Sequence, residues 1–422
     1  MRPYNKKVIL LLLATLAVRI LTVFIIGKTP CMDPSYLWQA NNIINSPGKV
    51  AIYITPSYGF LLYFLDIFTK SIYLSSSILY IIFSFGDVLI SYLISRELFS
   101  EKAGKIVIIL MLFFPNVTVA VAGYSHTSIV SSFFILLSIY ALIRFTQSRS
   151  NYLSAAILFS LAIIIGTYIR PESLVISVAL SLLIFLKNGQ QRTQKIYFLL
   201  LSYFIITTGV FLHGAFIKHK SSSSYASTFS DAKYTYITYV CVFSDVNQGL
   251  KPSSGNMHTS SGAAYSDSLS LALSAEAFGT PESNHWSILR AIEKNPKVAL
   301  MHFFFITKQC LFCFAHPLLC PFYIYLMAGI GLFFLLIQKR ANTLILLGFL
   351  FFLSMVPVLF THAEIRYLTN CVYPIILLSA WGIAQFESKR LNTAVIISVS
   401  TANFIIYMIY IINNAHLESL CG

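Results

Sequence analysis

Apolar runs long enough to cross a lipid bilayer recur from one end of this chain to the other, and they leave little choice of fold. A helix needs roughly 20 predominantly apolar residues to span the hydrocarbon layer. Inside lipid its backbone groups must be satisfied within the helix itself. The first run, Val8 to Gly27, is interrupted by Arg19 and preceded by Arg2, Lys6 and Lys7. It is too long for the core of a cleaved leader, so it is expected to remain as a signal anchor with the N-terminus in the cytoplasm. Further spans are expected at 75–95, 106–122, 125–144, 152–169, 171–187, 196–216, 319–338, 342–361, 367–386 and 391–412, about eleven crossings in all, which puts the C-terminus outside. Only 10% of the 422 residues are charged and 57% are hydrophobic, whereas soluble domains carry roughly 25% charge. The expectation is a single all-α, polytopic integral membrane domain over residues 1–422.

Charge gives an independent reading of sidedness. The segments assigned to the cytoplasm hold Arg2, Lys6, Lys7, Arg96, Lys102, Lys105, Arg144, Arg149, Lys187, Arg192, Lys195, Lys339, Arg340, Lys389 and Arg390, against Glu97, Glu101 and Glu387. Every cytoplasmic loop obeys the positive-inside bias. The net charge of +14 therefore reports orientation and attraction to anionic membrane lipid, and it gives no reason to invoke nucleic acid.

The cytoplasmic loops are short, and two long segments face out, at 28–74 and 217–318. In the first, Pro34 to Asn45 has the pattern of a short helix lying on the membrane, with Pro in its first turn. Tyr58 to Phe68 looks like a second. The second segment contains Ser221–Ser224, Ser253-Ser254-Gly255 and Ser260-Ser261-Gly262, the composition of a lid-like loop. Val298 to Phe314 is apolar but carries His302, Lys308 and Gln309. It is expected to be interfacial or re-entrant, because a full crossing there would invert every later loop.

Several polar groups stand where chemistry is possible. Asp33 follows the first span; it is a helix cap for Pro34 onward or a general base held at the membrane surface. Tyr36, one turn further on, can buttress it or stack on a sugar. Arg170, in Arg170-Pro171-Glu172, sits at a break between two apolar runs and either pairs with Glu172 or offers its fork of donors to a lipid phosphate. Arg366-Tyr367 precedes a late span and is either an interfacial anchor or a phosphate clamp. His126 begins another span on the outer side. Cys310, Cys313, His316 and Cys320 share a helical face, a pattern that fits small apolar packing better than zinc. Cys31 and Cys241 both face out and can pair. Asp87 and Arg19, within spans, can pair with each other or with other polar groups of the bundle interior.

Taken in order, Asp33-x-x-Tyr36-x-x-x-Ala40, Pro56-Ser-Tyr58-Gly-Phe-Leu-Leu, Gly123-Tyr-Ser, Arg170-Pro171-Glu172, Ile292-Glu-Lys-Asn-Pro296 and Arg366-Tyr367 with Pro374 resemble the GT-C superfamily of membrane glycosyltransferases. The resemblance is to the branch of protein O-mannosyltransferases and lipid A aminoarabinose transferases. It implies a GT-C-like bundle and an inverting enzyme that takes a sugar from a polyprenyl-phosphate donor on the outer face and passes it to a glycan, lipid or protein acceptor. It also implies Asp33 as catalytic base, with Arg170 where a basic residue meets the donor phosphate and Arg366-Tyr367 as the Arg-Tyr pair ahead of a late span; Tyr36, Glu172, His126 and Lys308 are the further candidates for contact with the substrates. Many relatives have Asp-Glu where this chain has Asp33-Pro34, and a carboxylate where it has His126. The scheme requires no cofactor, and the missing second acid leaves the use of a divalent metal open. A bacterial plasma membrane or an ER membrane would supply such a donor. The competing readings are an O-antigen polymerase or ligase with a diphosphate-linked donor, and a transporter or flippase.

Overall fold

The computed structural model describes residues 6–26, 34–45, 56–120, 126–147, 151–170, 172–186, 192–220, 275–280, 282–285, 287–360 and 368–412. Within them the chain is helical: α1 (Lys6–Ile26), α2 (Pro34–Asn45), α3 (Pro56–Thr69), α4 (Ile72–Leu98), α5 (Glu101–Leu112), α6 (His126–Thr146), α7 (Tyr152–Ile169), α8 (Glu172–Ser181), α9 (Arg192–Lys220), α10 (Ile288–Lys294), α11 (Pro296–Ala315), α12 (Phe322–Ile337), α13 (Ala341–Phe360), α14 (Thr369–Ala384) and α15 (Lys389–Ile412). No strand occurs among the described residues.

Local chemistry sets the helix starts. The hydroxyls of Ser71 and Ser100 accept the N–H groups of Leu74 and Ala103 at the heads of α4 and α5. Asn151 does the same for α7, and Asn295 caps α11 with Pro296 in its first turn, so the orphan donors of these ends are met by side chains. Between 106 and 122, where one span was expected, α5 stops at Leu112. Pro115 and a π-helical turn at Asn116–Ala120 follow, because proline lacks the N–H that would continue the ladder.

Seven of the helices are long and apolar enough to cross a membrane by themselves: α1, α4, α6, α7, α9, α11 and α15. The expected spans at 171–187, 319–338, 342–361 and 367–386 coincide with α8, α12, α13 and α14, of which α8, α12 and α14 are shorter helices. Helix α14 is buried along almost its whole length, so it meets protein rather than lipid. Two glycines draw α12 against it. A Cβ on Gly331 would strike the Leu378 carbonyl, and one on Gly382 would strike the Met327 carbonyl, the close backbone approach that small residues allow between membrane helices. By contrast α1, α9, α11 and α15 expose most of their apolar side chains, as a lipid-facing ring does.

The basic loops meet at one end of the bundle. Lys102 donates to the carbonyls of Ala384 and Phe386 (2.7 and 3.2 Å), Arg340 to Leu98 (3.2 Å) and Gln147 to Glu97 (2.8 Å). Glu97 also pairs with Arg96 and Arg144. Helix α9 runs alongside α7 in the same direction, with Tyr197 near Tyr152 and the Val210 carbonyl bonded to Tyr168, so it ends far from the basic loops. Helix α12 reaches the basic end at Gln338, which bonds Gln385. Helix α11, expected to be interfacial or re-entrant, is one unbroken 20-residue helix and is long and apolar enough to cross.

Candidate active site at the end opposite the basic loops

The first turns of α6 tie three distant segments together. The Ser128 hydroxyl accepts from Nη1 of Arg170 at 2.8 Å, Ser131 shares a hydrogen bond with Ser173 at 2.9 Å, and Ser132 donates to Oδ1 of Asn370 at 2.6 Å. Arg170 caps the end of α7 in extended backbone, Ser173 opens α8 and Asn370 opens α14. Serines suit this place because their short side chains donate and accept across a tight helix contact, where an unpaired polar group in apolar surroundings would be costly.

Arg170 also forms a 2.5 Å ion pair from Nε to Oε1 of Glu172, with the two side chains 13% and 16% exposed. Of the two readings of Arg170, the pairing with Glu172 is thus observed. The pair keeps an exposed face, so an anion arriving there would compete with the Glu172 carboxylate for a guanidinium already fixed in place.

Helices α2 and α3 lie beside this cluster. Gly59 of α3 packs so close to α2 that a Cβ there would meet the Tyr36 carbonyl, and the ring of Tyr36 stands edge-on to Tyr58 at 5.2 Å. The Tyr58 hydroxyl bonds Ser76 of α4 at 3.3 Å, and burial pushes its phenol pKa up, so it remains a neutral strut. Ile43 of α2 packs with Phe60 and Tyr168. Tyr168, two residues ahead of Arg170, stacks on His213 at 3.4 Å. The α2–α3 pair is therefore docked on the end of α7 that carries Arg170.

The other expected site residues fall as follows. Asp33, Arg366 and Tyr367 lie outside the described residues; Asp33 is the residue ahead of α2, and Arg366-Tyr367 stand just before Leu368 and α14. His126 is the first residue of α6, and only its backbone is described. Lys308 is exposed on α11 with its ammonium 5.9 Å from the Phe312 ring centroid, and no contact among the described residues joins it to the Arg170 cluster. Cys310, Cys313, His316 and Cys320 form no metal-holding group among the described residues; His316 instead accepts the Leu318 N–H at Nδ1. Cys31 and Cys241 lie outside the described residues. Sequence reasoning missed Ser128, Ser132, Asn370, Tyr168 and His213; the one available signal was the run of hydroxyls Thr127, Ser128, Ser131 and Ser132 at the head of an apolar helix.

Arg19 and Asp87 are fully buried in the bundle interior. Arg19 donates to the carbonyls of Met111 and Leu112 at the end of α5 (2.8 and 3.0 Å), and Asp87 accepts a short hydrogen bond from Tyr373. Of the two partnerships expected for them, each takes other polar groups rather than the other ion directly.

A family model described as domain of unknown function (DUF6311) matches residues 40–265, more than half of the chain. No curated protein matches the sequence. Among solved structures, the chain is similar to the oligosaccharyltransferase of Archaeoglobus fulgidus. In its apo form the TM-score is 0.57 at 11% identity, covering 99% of this chain and 56% of the other. In its complex with zinc and sulfate the TM-score is 0.56 at 12% identity, with 98% and 53% covered. In the form tethered to an acceptor peptide containing the NVT sequon it is 0.54 at 11% identity, with 97% and 55% covered. What is shared at that identity is the fold, and this chain spans about half the length of the oligosaccharyltransferase.

Proposed function

The chain belongs to the DUF6311 family, and from the fold it shares with the oligosaccharyltransferase and the polar cluster around α6 we propose an inverting glycosyltransferase of the GT-C superfamily that uses a polyprenyl-phosphate sugar donor. Its relatives within the superfamily would be the protein O-mannosyltransferases and lipid A aminoarabinose transferases, and its acceptor a hydroxyl of a glycan, lipid or protein. The observation that carries the reading is the convergence on α6: Arg170 and the start of α14, 200 residues apart at Asn370, are held one helical turn from each other. The α2–α3 pair, which begins one residue after Asp33, is docked at the same end.

The reaction follows from those groups. The acceptor oxygen bonds to the anomeric carbon as the bond from that carbon to the phosphate oxygen breaks, with inversion. The hydroxyl proton passes to the Asp33 carboxylate, and the bonding electrons leave with the lipid phosphate. Charge that grows on a departing phosphate is stabilised best by fixed donors already in place. Arg170, held by Ser128 and Glu172, is such a donor, and Arg366 with Tyr367 would close on the phosphate from the head of α14. Tyr36 would stack on the sugar, and His126 and Lys308 would lie toward the acceptor. Two arginines supply the positive charge, so this scheme calls for no metal.

The basic end is read as cytoplasmic, which puts the cluster on the periplasmic or lumenal face. Nucleotide sugars are not supplied there without a transporter, and a lipid-carried sugar is the natural donor. Membranes containing the protein, offered polyprenyl-phosphate and polyprenyl-diphosphate sugars in parallel, test the reading. Consumption of the monophosphate donor supports it, and consumption of the diphosphate donor alone replaces it with a polymerase or ligase.

A further inference from the structure

At the basic end, far from the α6 cluster, the bundle forms a half-open cavity of about 310 Å³ where α4, α6 and the short 3₁₀ turn at Leu182–Leu186 meet the α12–α13 connection. Its wall is apolar, made by Leu98, Leu142, Ile184 and Leu346, and its rim carries Lys339, Arg340, Asn342 and Thr343. The volume is at the lower end of small-molecule sites, enough for a polar headgroup and the first part of a chain.

The two cations at the rim differ in a way that suits a ligand. Arg340 is fixed, donating to the Leu98 carbonyl at 3.2 Å and lying 4.9 Å over the Trp381 ring. Lys339 stands in left-handed backbone (φ 53°) where α12 turns back. It is exposed and has no acidic partner among the described residues. The buried carboxylate beside this region, Glu97, is engaged by Arg96 and Arg144, so it does not neutralise the rim. Positive charge at the mouth of an apolar slot between membrane helices fits a ligand with an anionic head and an aliphatic tail.

We propose that this cavity binds an anionic phospholipid of the leaflet on the basic side, its phosphate at Lys339 and Thr343 and the start of one acyl chain against Leu98, Ile184 and Leu346. The inference rests on this end lying at a membrane surface and is independent of the transferase reading. The test compares thermal unfolding of the full chain in nanodiscs of phosphatidylcholine with and without phosphatidylglycerol. The wild type should gain in melting midpoint as phosphatidylglycerol is added. Lys339→Glu should melt like the wild type in phosphatidylcholine and lose apparent affinity for the anionic lipid by about fivefold or more, the scale of one basic group at a lipid surface. Thr146→Trp, at a residue of α6 that also lines the cavity, fills the slot; it should abolish the gain and decides the matter if Lys339→Glu does not fold. An equal gain in both variants overturns the proposal. So does full protection by inorganic phosphate in phosphatidylcholine discs, or by phosphatidylcholine alone.

Discussion

Arg170 illustrates how a single side chain at a membrane boundary can serve both structure and chemistry. Its guanidinium is divided between Ser128 and Glu172, and removing it leaves the Glu172 carboxylate facing the site with its cation gone. Arg170→Ala should therefore raise the donor KM and lower turnover together, because the phosphate is charged both before and during departure. Arg170→Lys keeps the charge without the fork and should fall between the two. If repulsion by Glu172 is part of the loss, the double variant Arg170→Ala/Glu172→Gln should recover donor binding relative to Arg170→Ala; steady-state kinetics on a defined donor would show no recovery if the defect is only structural. The apolar run around Arg170 marked it as unusual, and the neighbouring Glu172 was visible as a partner. Nothing local in the sequence could show Ser128, 42 residues away, or the bond from Tyr373 to Asp87, 286 residues away, since contacts between distant helices leave no periodicity in either.

The helices were the most legible level, because length and hydrophobicity alone decide them. The expected span 152–169 coincides with α7, and 391–412 lies within α15 (Lys389–Ile412). Where legibility failed, a backbone effect competed with hydropathy: Pro115 and the π turn break an apolar run that reads as continuous. Helix packing was equally hidden, as a glycine in an apolar run looks the same at a contact as on a free face. The structure separates them. Gly331 packs on the backbone of α14, whereas a Cβ on Gly329 would meet nothing within 4 Å. Gly331→Ala should destabilise the protein by roughly 1–3 kcal/mol, the scale of overpacking, and Gly329→Ala should be neutral within about 0.5 kcal/mol. Melting in detergent compares the two directly, and equal midpoints would contradict the α12–α14 packing.

Over the whole molecule, the charge pattern and the packing agree on which loops share an end, although they derive from different physics. Positive loops before and after the long 217–318 segment come together at the end bearing Lys102, Gln147 and Arg340, which is the arrangement that alternating spans require. Single cysteines added at Ser222 and Ser260 should react with an impermeant thiol reagent in intact cells, and ones at Gln191 and Asn342 should not. Reaction at Asn342 together with protection at Ser222 would reverse the orientation and move the α6 cluster to the cytoplasm, where a lipid-carried donor is no longer demanded.

Catalysis by a carboxylate acting beside Arg170 is tested most directly by measuring sugar transfer from a defined polyprenyl-phosphate donor with purified wild-type protein and with Asp33→Asn. The substitution keeps the shape of the side chain and removes the base. Transfer should fall by roughly 10²-fold or more, the usual scale for losing general-base catalysis, while donor binding stays nearly unchanged. Near-normal transfer by Asp33→Asn would make Asp33 the cap of α2 and nothing more, and would contradict the catalytic assignment.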